Sequence, residues 1–398
     1  MNRKEIIHNE LFYYHLLKPI FKLISYFSGF RSKCRYTIEE GESVFIISNH
    51  QTNIDFMHIM PQFNKQISAI ATDTVFSGKH IGNFCYNKLA MIPKKKGAND
   101  ISTVKLMAET LQNGGNIILF IEGNRTYAEF QFYIAEGITR FLKKFKPTLI
   151  LYKLEGGTGT SPRFMHHLRK GYFTGSIQRV LKYDEYGEMS DEELLKIIKD
   201  NIRQFDSESG HLYKSKKRAE YLEKMFFVCP KCNGVSHLYS NNETIKCLDC
   251  GLEFKYNEDL SLTSLDPSIK FKRLLDWWNY QKRFVKEWII NTPIIFEDDN
   301  IKLYKANPFE KKVLLYKGKM KLDKEKLIYG QNIQPLKDLE IASVVSGGKL
   351  SYQLGNDNFI VKSKNKRFNP LKYVLLFNKL DTIMKKEKRD SYFNLEEE

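Results

Sequence analysis

The stretch Val44-Phe45-Ile46-Ile47-Ser48-Asn49-His50-Gln51-Thr52-Asn53-Ile54-Asp55 joins a short apolar run to a polar loop that carries a histidine and a carboxylate. The apolar run predicts a buried strand, and reactive groups of α/β sheets lie at the carboxyl ends of such strands. Asp55 begins the next helix, so it is placed to fold back onto His50 and leave one imidazole nitrogen as a general base. Alternatively, Asp55 only complements a helix N-terminus.

Two further polar segments also follow predicted strands. In Phe120-Ile121-Glu122-Gly123-Asn124-Arg125-Thr126, the glycine permits a tight turn and Arg125 offers a planar fork to a phosphate. Glu122 is suited to hold that fork or a substrate hydroxyl. In Ile92-Pro93-Lys94-Lys95-Lys96, three lysines add positive charge after another strand end, although lysine runs are also typical of solvated surface.

Strands and helices alternate from about residue 43 to 185, which is typical of an α/β domain. The predicted strands are Ser43–Ser48, Ile67–Thr72, Met91–Pro93, Asn116–Ile121 and Thr148–Leu154, and the predicted helices are Asp100–Gln112, Phe130–Phe145, Lys216–Phe226, Phe271–Ile290 and one opened by the capping box at Ser190–Glu193. The glycine-rich segment Gly156–Arg163 lacks the Lys-Ser/Thr ending of a P-loop. We interpret it as a mobile active-site loop, with Arg163 as a further residue for binding the substrate.

Residues 11–30 form an amphipathic segment. Its apolar face carries Phe12, Leu16, Ile20, Leu23 and Phe27, widened by Leu17, Phe21 and Ile24. Lys18 and Lys22 lie on the other side, and Pro19 predicts a bend between two short helices. The segment either packs on its own domain or lies in a membrane surface, where an aromatic apolar face meets flanking cations.

The chain has 398 residues and a formal charge of +16, so we expect two or three domains and an anionic partner: nucleic acid, anionic lipid, or a phosphorylated or carrier-bound substrate. No stretch approaches the ~18 uninterrupted apolar residues of a membrane-spanning helix. The lysines near the N-terminus interrupt any signal-peptide core. We therefore expect a cytoplasmic protein, neither secreted nor membrane-spanning.

Four of the six cysteines form two CxxC pairs, Cys229-Pro-Lys-Cys232 and Cys247-Leu-Asp-Cys250, with fourteen residues between them. Two such knuckles supply the four thiolates of a closed tetrahedral Zn²⁺ site. Because four thiolates leave no position for water, we predict a structural zinc ion in a zinc ribbon. This arrangement of the cysteines is also more typical of a protein in a reducing compartment than of one stabilised by disulfides.

After Thr292 the apolar pattern changes to a period of two. Runs at Ile301–Tyr304, Val313–Tyr316, Lys326–Tyr329, Leu339–Val345, Lys349–Leu354 and Phe359–Val361 predict short strands, followed by a helix from Asn369 to about Lys386. Six or seven strands closed by one C-terminal helix resemble a pleckstrin-homology-like barrel.

The segments Asn49-His50-x4-Asp55 and Phe120-x-Glu122-Gly123-x-Arg125 together resemble the glycerolipid acyltransferase family, including the 1-acylglycerol-3-phosphate acyltransferases. The family pattern is NHxxxxD, a short block ending in Arg, FPEGTR and an apolar strand. Here Ile121 replaces Pro and Asn124 replaces Thr, and the second block ends in Lys96 or a neighbouring lysine. The resemblance covers roughly residues 10–200.

The resemblance implies that His50 takes the proton of an acceptor hydroxyl, which attacks an acyl thioester of coenzyme A or acyl-carrier protein. Asp55 would orient His50, and the substrate-binding residues would be Asn49, Lys96, Glu122, Gly123 and Arg125. No catalytic metal and no acyl-enzyme is implied. We expect a lysophospholipid acceptor, above all 1-acylglycerol-3-phosphate giving phosphatidic acid, and a peripheral location on the inner face of the cell membrane.

The expected architecture is an α/β acyltransferase domain with a mixed sheet, then a small zinc ribbon and a mostly-β domain closed by one helix. The predicted divisions are 1–33 (membrane-surface helices), 34–222 (acyltransferase domain), 223–262 (zinc ribbon), 263–292 (connecting helix) and 293–390 (β domain). The alternative is a basic zinc-ribbon module that binds nucleic acid or protein beside an inactive acyltransferase-like scaffold. Basic runs at Lys214–Arg218 and Lys385–Arg389 favour this alternative, although we do not expect nucleic acid as the partner.

Overall fold

The computed structural model describes residues 3–76, 78–94, 101–123, 125–129, 134, 137–291, 296–323, 325–339, 341–345 and 348–385. The chain divides into two compact units. The first unit comprises Met1–Thr126, Gln131–Arg163 and Lys170–His211, and the second comprises Tyr127–Phe130, Phe164–Arg169 and Leu212–Glu398. The five domain divisions expected from the sequence stay a prediction.

Seven strands of the described residues form one sheet in the first unit: β1 (Arg31–Ser32), β2 (Val44–Ser48), β3 (Ser68–Thr72), β4 (Ile92–Lys94), β5 (Ile117–Phe120), β6 (Thr148–Glu155) and β7 (Thr174–Leu181). Their order is β1-β7-β6-β2-β5-β3-β4. β6 and β7 are antiparallel, and the other neighbouring pairs are parallel. The predicted α/β domain with a mixed sheet is therefore confirmed.

The helices of this unit lie between the strands or beside them. They are α1 (Arg3–Phe27), α2 (Asp55–Ile59), α3 (Lys79–Asn87), α4 (Ile101–Gln112), α5 (Gly137–Phe145), α6 (Gly157–Thr160), α7 (Tyr183–Tyr186) and α8 (Asp191–Ile202). The predicted capping box opens α8: Glu193 N donates to Ser190 Oγ at 3.1 Å, and Ser190 N donates to Glu193 Oε2 at 2.8 Å. The predicted helix over Phe130–Phe145 is observed from Gly137, and most of its earlier residues lie outside the described part.

β2 positions the loop that carries His50 and Asp55. All five of its residues are buried, since Phe45 and Ile47 face one apolar core while Val44 and Ile46 face the other. Strands covered on both faces are apolar throughout for this reason. At its carboxyl end, Ser48 lies opposite residue 120 of β5 and residue 152 of β6, so the loops after three strands meet at one edge.

α1 is a single helix with Pro19 inside it, so the predicted division into two short helices is wrong. Its inner side holds Tyr14 and Phe21, which are buried, and both Tyr14 OH and Lys18 Nζ donate to the carbonyl of Phe63. The predicted apolar face is divided: Leu17, Phe21 and Ile24 pack inward, whereas the other five residues point the other way. These five are 47–74% exposed: Phe12, Leu16, Ile20, Leu23 and Phe27. No helix in the described part of the chain is long and apolar enough to span a membrane.

The segment after β6 is packed, and the interpretation of Gly156–Arg163 as a mobile loop is replaced by a buried turn. Gly157–Thr160 are buried and form α6, and Gly156 has φ +89°. A Cβ on Gly156 would lie 1.9 Å from the carbonyl oxygen of Tyr172. Gly156 is therefore required by close backbone packing.

The second unit begins with a four-stranded antiparallel sheet in the order β11-β10-β9-β8: β8 (Leu238–Asn241), β9 (Thr244–Cys247), β10 (Glu253–Tyr256) and β11 (Leu262–Ser264). The predicted helix Lys216–Phe226 is wrong, since this segment consists of turns and a short 3-10 helix at Leu222–Lys224. Ala219 N donates to Asn242 O and Tyr221 N to Ser240 Oγ, both at 2.8 Å. These N–H groups bond the β8–β9 hairpin in place of a preceding helical turn.

The C-terminal part of the second unit contains a helix α9 (Leu274–Asn291), a second antiparallel sheet and a closing helix α10 (Pro370–Lys385). Within the described residues the sheet has seven strands in the order β15-β14-β13-β12-β18-β17-β16: β12 (Phe296–Lys305), β13 (Val313–Leu322), β14 (Lys326–Tyr329), β15 (Asn332–Pro335), β16 (Ile341–Val345), β17 (Lys349–Leu354) and β18 (Asp357–Ser363). The predicted mostly-β domain with one helix is confirmed. Its pleckstrin-homology-like class stays a prediction.

Replacing Gly156 by alanine should destabilise the protein by about 3 kcal/mol or more, because the new methyl group meets backbone that a side-chain movement cannot clear. Gly114 is the matched control: its φ is +77°, but no atom lies within 4 Å of a Cβ there. Gly114→Ala should cost only the backbone strain, about 1–2 kcal/mol. Urea denaturation compares the two, and equal losses would contradict the close-packing explanation.

Candidate active site

His50 and Asp55 form a hydrogen-bonded pair directly after β2. His50 Nδ1 lies 2.8 Å from Asp55 Oδ2, and the His50 side chain is 24% exposed while that of Asp55 is fully buried. Nε2 of His50 makes no hydrogen bond to any residue in the described part of the chain. The pair therefore leaves one imidazole nitrogen available as a general base, as the spacing predicts.

The loop between the two residues is built around the Asp55 carboxylate. It accepts hydrogen bonds from Gln51 N at 2.7 Å, from Thr52 N at 2.9 Å and from Thr52 Oγ1 at 2.5 Å. Burial opposes ionisation of the carboxylate, but the hydrogen bond and charge of His50 and the bonds from Thr52 outweigh it and hold the pKa of Asp55 below its ordinary value. Asp55 therefore stays ionised and holds the imidazole in one orientation.

The imidazole of His50 is stacked on the ring of Phe120, with 4.6 Å between centroids and 24° between planes. Burial lowers the pKa of His50 below its ordinary value, and the positive charges of Arg125 and Arg163 lower it further, although Asp55 acts in the opposite direction. His50 is consequently neutral at pH 7. A neutral imidazole is the form that accepts a proton.

Glu122 lies beside this pair. The backbone N–H of His50 donates to its carboxyl group, and burial together with the charge of Asp55 raises the pKa of Glu122 to about 8. The backbone hydrogen bond opposes this shift without cancelling it. Glu122 is therefore mostly protonated at pH 7, so it does not repel an anionic ligand.

The glycine and arginines of the second segment take up defined positions. Gly123 has φ +63°, and its N–H donates to Phe120 O at 2.9 Å, which confirms the predicted tight turn. Arg125 is buried and donates from Nε to Gln51 O at 2.9 Å and from Nη2 to Ser161 O at 2.6 Å. Arg163 Nη1 donates to Arg125 O at 2.6 Å. Arg125 therefore connects the loop of Gln51 to Ser161, and it also places a positive charge near His50.

Backbone groups engage the amide of Asn49, one of the predicted substrate-binding residues. Asn49 is buried, and its amide pairs in both directions with the backbone of Leu154, at 2.9 Å as donor and 2.8 Å as acceptor. The amide therefore joins the loop after β2 to β6, and the binding of substrate by Asn49 stays a prediction. Lys96 lies outside the described residues.

Sequence reasoning missed Gln51 and Asp206. Gln51 Oε1 accepts from Gly157 N at 2.7 Å, and its Nε2 lies 3.4 Å from Asp206 Oδ1. The buried Asp206 carboxylate also accepts from Gly156 N at 2.8 Å and Gly159 N at 3.1 Å. Together they connect the turn after β6 to the loop of His50. Asp206 lies more than 150 residues from Gln51, so no local pattern marks it.

His58, three residues after Asp55, is part of the packed interior of the first unit. Its Nδ1 lies 2.9 Å from Ser25 Oγ, and its ring stacks on Phe30 at 4.7 Å. The side chain is fully buried, and burial lowers its pKa to about 4. His58 is therefore a neutral packing residue.

The four cysteines of the CxxC pairs come together in the second unit. The Sγ atoms of Cys229, Cys232, Cys247 and Cys250 all lie within 4.8 Å of one another, with 3.6 Å between the first and last and 3.7 Å between the middle two. A tetrahedral zinc ion with Zn–S bonds of about 2.3 Å needs S–S separations of about 3.8 Å. The four residues could therefore hold a metal ion.

Comparison with known proteins agrees with this site. Residues 30–173 match the family model described as Acyltransferase, which confirms the resemblance to the acyltransferase family drawn from the sequence motifs. No curated protein matches the chain.

Two solved structures are similar to parts of the chain. The 1-acyl-sn-glycerophosphate (LPA) acyltransferase PlsC from Thermotoga maritima is 16% identical with a TM-score of 0.41, and the match covers 48% of this chain and 76% of that one. The N-terminal PH domain of the human ARAP2 protein is 16% identical with a TM-score of 0.19, and the match covers 24% of this chain and 85% of that one.

Replacing Asp55 by asparagine should lower the pKa of His50 still further, because the removed charge is the group that favours the imidazolium. NMR titration of ¹³C-labelled histidine measures this shift. Asp191→Asn is the matched control, since Asp191 pairs with Lys143 and is not among the groups that shift His50. An unchanged or raised pKa of His50 in Asp55→Asn would contradict the described coupling.

Proposed function

We propose that this protein transfers an acyl group from acyl-CoA or acyl-carrier protein to the free hydroxyl of a lysophospholipid. The acceptor we propose is 1-acylglycerol-3-phosphate, which gives phosphatidic acid in phospholipid biosynthesis. The observation that carries the proposal is the His50–Asp55 pair at 2.8 Å within the segment that matches the acyltransferase family.

The chemistry needs one base and one orienting carboxylate. His50 Nε2 removes the proton of the acceptor hydroxyl as its oxygen attacks the thioester carbonyl. Asp55, bonded to Nδ1, stabilises the imidazolium that forms. The tetrahedral intermediate then collapses, the carbon–sulfur bond breaks, and the imidazolium returns its proton to the leaving thiolate. The products are the ester and the free thiol.

The groups around the pair support a phosphate-bearing acceptor. Arg125 and Arg163 bring positive charge close enough to lower the pKa of His50. Glu122, protonated at pH 7, offers a hydrogen bond without adding a negative charge. Since a carboxylate there would repel a phosphate, its raised pKa suits an anionic acceptor. Lys96 stays a proposed contact of the same phosphate.

The exposed face of α1 supports a peripheral location on the inner face of the cell membrane. Five large apolar side chains are exposed on one side of α1. The opposite side packs against the protein: Tyr14 and Lys18 donate to the carbonyl of Phe63, and Phe21 is buried. We call these five the α1 stripe: Phe12, Leu16, Ile20, Leu23 and Phe27. Such a face, with Lys22 exposed beside it, is typical of a helix lying in the lipid interface, where lysophospholipids and their products reside.

We further propose that the four cysteines bind one structural zinc ion as thiolates. A complete set of sulfur ligands leaves no position for water, so the ion takes no part in acyl transfer. It would join the loop of Cys229 and Cys232 to the end of β9 and the turn that follows it.

In the basic run Lys214–Arg218, which favours the nucleic-acid alternative, the three lysines are exposed but the arginine is not. Arg218 is buried, donates to Tyr256 O and forms an ion pair with Glu243. Most of the second run, Lys385–Arg389, lies outside the described residues.

His50→Ala should lower kcat for acyl transfer by at least about a thousandfold, because no other base among the described residues lies at this position. Acyl transfer to mixed lysophospholipids from both donor types, analysed by mass spectrometry, measures the loss and names the acceptor. His80→Ala, which removes an exposed histidine from α3, should keep full activity. Both variants should bind one zinc per chain by elemental analysis. Retained turnover in His50→Ala would overturn the mechanism.

Replacing Phe12, Leu16 and Leu23 by serine should reduce flotation with neutral lipid vesicles by at least tenfold, because each apolar side chain contributes about 1 kcal/mol or more on entering lipid. The matched control replaces Ile101, Leu212 and Leu265, which are 51–84% exposed but lie apart from α1. That control should float as the parent protein does. Equal losses in both variants would argue against a specific role for the α1 stripe.

A further inference from the structure

The carboxylate of Asp206 accepts hydrogen bonds from two separate loops of the first unit. Asp206 begins the short 3-10 helix Asp206–Glu208, which follows α8. Two donors belong to the turn after β6: Gly156 N lies at 2.8 Å and Gly159 N at 3.1 Å. The third belongs to the loop after β2, where Gln51 Nε2 donates at 3.4 Å. Asp206 is therefore a junction between the two loops.

The donors at this junction favour a carboxylate over an amide. Asp206 is 1% exposed, and burial raises the pKa of its carboxyl group, although the hydrogen bonds act in the opposite direction. Among the described residues, no cation forms an ion pair with it. Gly156 N and Gln204 Nε2 bond Oδ1, and Gly159 N bonds Oδ2. An ionised carboxylate accepts at both oxygens, whereas an amide accepts at one only.

The same two loops hold the guanidinium of Arg125. Its Nε donates to Gln51 O at 2.9 Å, and its Nη2 donates to Ser161 O at 2.6 Å. Ser161 directly follows α6, and its N–H donates to Gly157 O at 2.8 Å. Both carbonyls that position Arg125 are thus carried by segments that are hydrogen-bonded to Asp206.

Gln51 connects the two loops directly. Its Oε1 accepts from Gly157 N at 2.7 Å while its Nε2 donates to Asp206. Its backbone N–H donates to Asp55 Oδ2 at 2.7 Å, and its backbone oxygen is the acceptor for Arg125. A displacement of Gln51 therefore moves one of the carbonyls that hold the guanidinium.

We propose that Asp206 is a positioning residue for the phosphate of the acyl acceptor, and that it acts by fixing the two carbonyls that hold Arg125. This role rests on the proposed function, in which Arg125 supplies positive charge for that phosphate. The His50–Asp55 pair keeps the hydrogen bonds from Thr52 when Asp206 is removed. The expected effect is therefore on acceptor binding more than on the chemical step.

Asp206→Ala should raise KM for the lysophospholipid about tenfold and lower kcat by less than about threefold, because a displaced guanidinium loses a charge-assisted contact with phosphate. Initial rates at varied acceptor concentration measure both constants. Glu42→Ala is the matched control: this carboxylate side chain is 8% exposed and bonds Lys182 and Thr148 instead. It should change KM by less than about twofold. An unchanged KM in Asp206→Ala, or equal rises in both variants, would overturn the proposal.

The route through Arg125 is tested in an Arg125→Ala background. There, Asp206→Ala should change KM by less than about twofold, because the guanidinium on which Asp206 acts has been removed. A further tenfold rise in the double variant would mean that Asp206 acts independently of Arg125, and it would contradict the proposed role.

Asp206→Asn guards against loss of the fold as an explanation. It preserves the size of the side chain and one acceptor oxygen, so the variant should fold and its KM should rise by about threefold or more. Far-UV circular dichroism should match that of the parent protein. A folded Asp206→Asn with the KM of the parent would also overturn the assignment.

His50 reports the position of Arg125 without any turnover. The positive charge of Arg125 lowers the pKa of His50, so Asp206→Ala should raise that pKa in an NMR titration of ¹³C-labelled histidine. Asp55→Asn should shift it in the opposite direction, so the sign distinguishes a displaced Arg125 from a disturbed Asp55. An unchanged or lower pKa would reject the positioning of Arg125. A raised pKa in a chain that transfers no acyl group would support that positioning and count against the enzymatic function alone.

Discussion

The buried carboxylate of Asp55 is the group around which the loop after β2 is arranged. A carboxylate removed from water must have its oxygens satisfied, and here two backbone N–H groups, one hydroxyl and the imidazole of His50 do so. The loop has little freedom to adopt another path while these bonds persist. The requirement that fixes the backbone also fixes the tautomer of the histidine, so a structural need and a chemical need are met by the same atoms.

Much of this could be predicted because it rests on local sequence. The apolar runs that form β2, β5 and β6 are continuous, as strands covered on both faces must be, and their polar ends identify the edge where the site forms. The proximity of His50 and Asp55 follows from their spacing. The capping box at Ser190 is equally local. In each case the residues that define the feature are within a few positions of one another.

What could not be predicted depends on residues far apart in the chain. The amide of Asn49 is used by Leu154, and Asp206 binds the turn at Gly156, so neither role leaves a local pattern. The segment around Tyr221 has helical composition, yet its N–H groups bond a hairpin that follows it. In α1, both sides of the helix are apolar, and hydropathy does not say which side packs against α2 and which faces outward.

The contact between Asp206 and the turn at Gly156 also bears on how the protein is made. During synthesis the chain emerges from its N-terminus, and contacts between distant residues must wait for the later partner. α1, with its outward apolar side chains, leaves the ribosome before β2, and β2 follows without β5 or β6 to cover its edges. Asp206 is the last of the described groups that fix the neighbourhood of His50. A nascent chain therefore presents its apolar helix well before it possesses an assembled base.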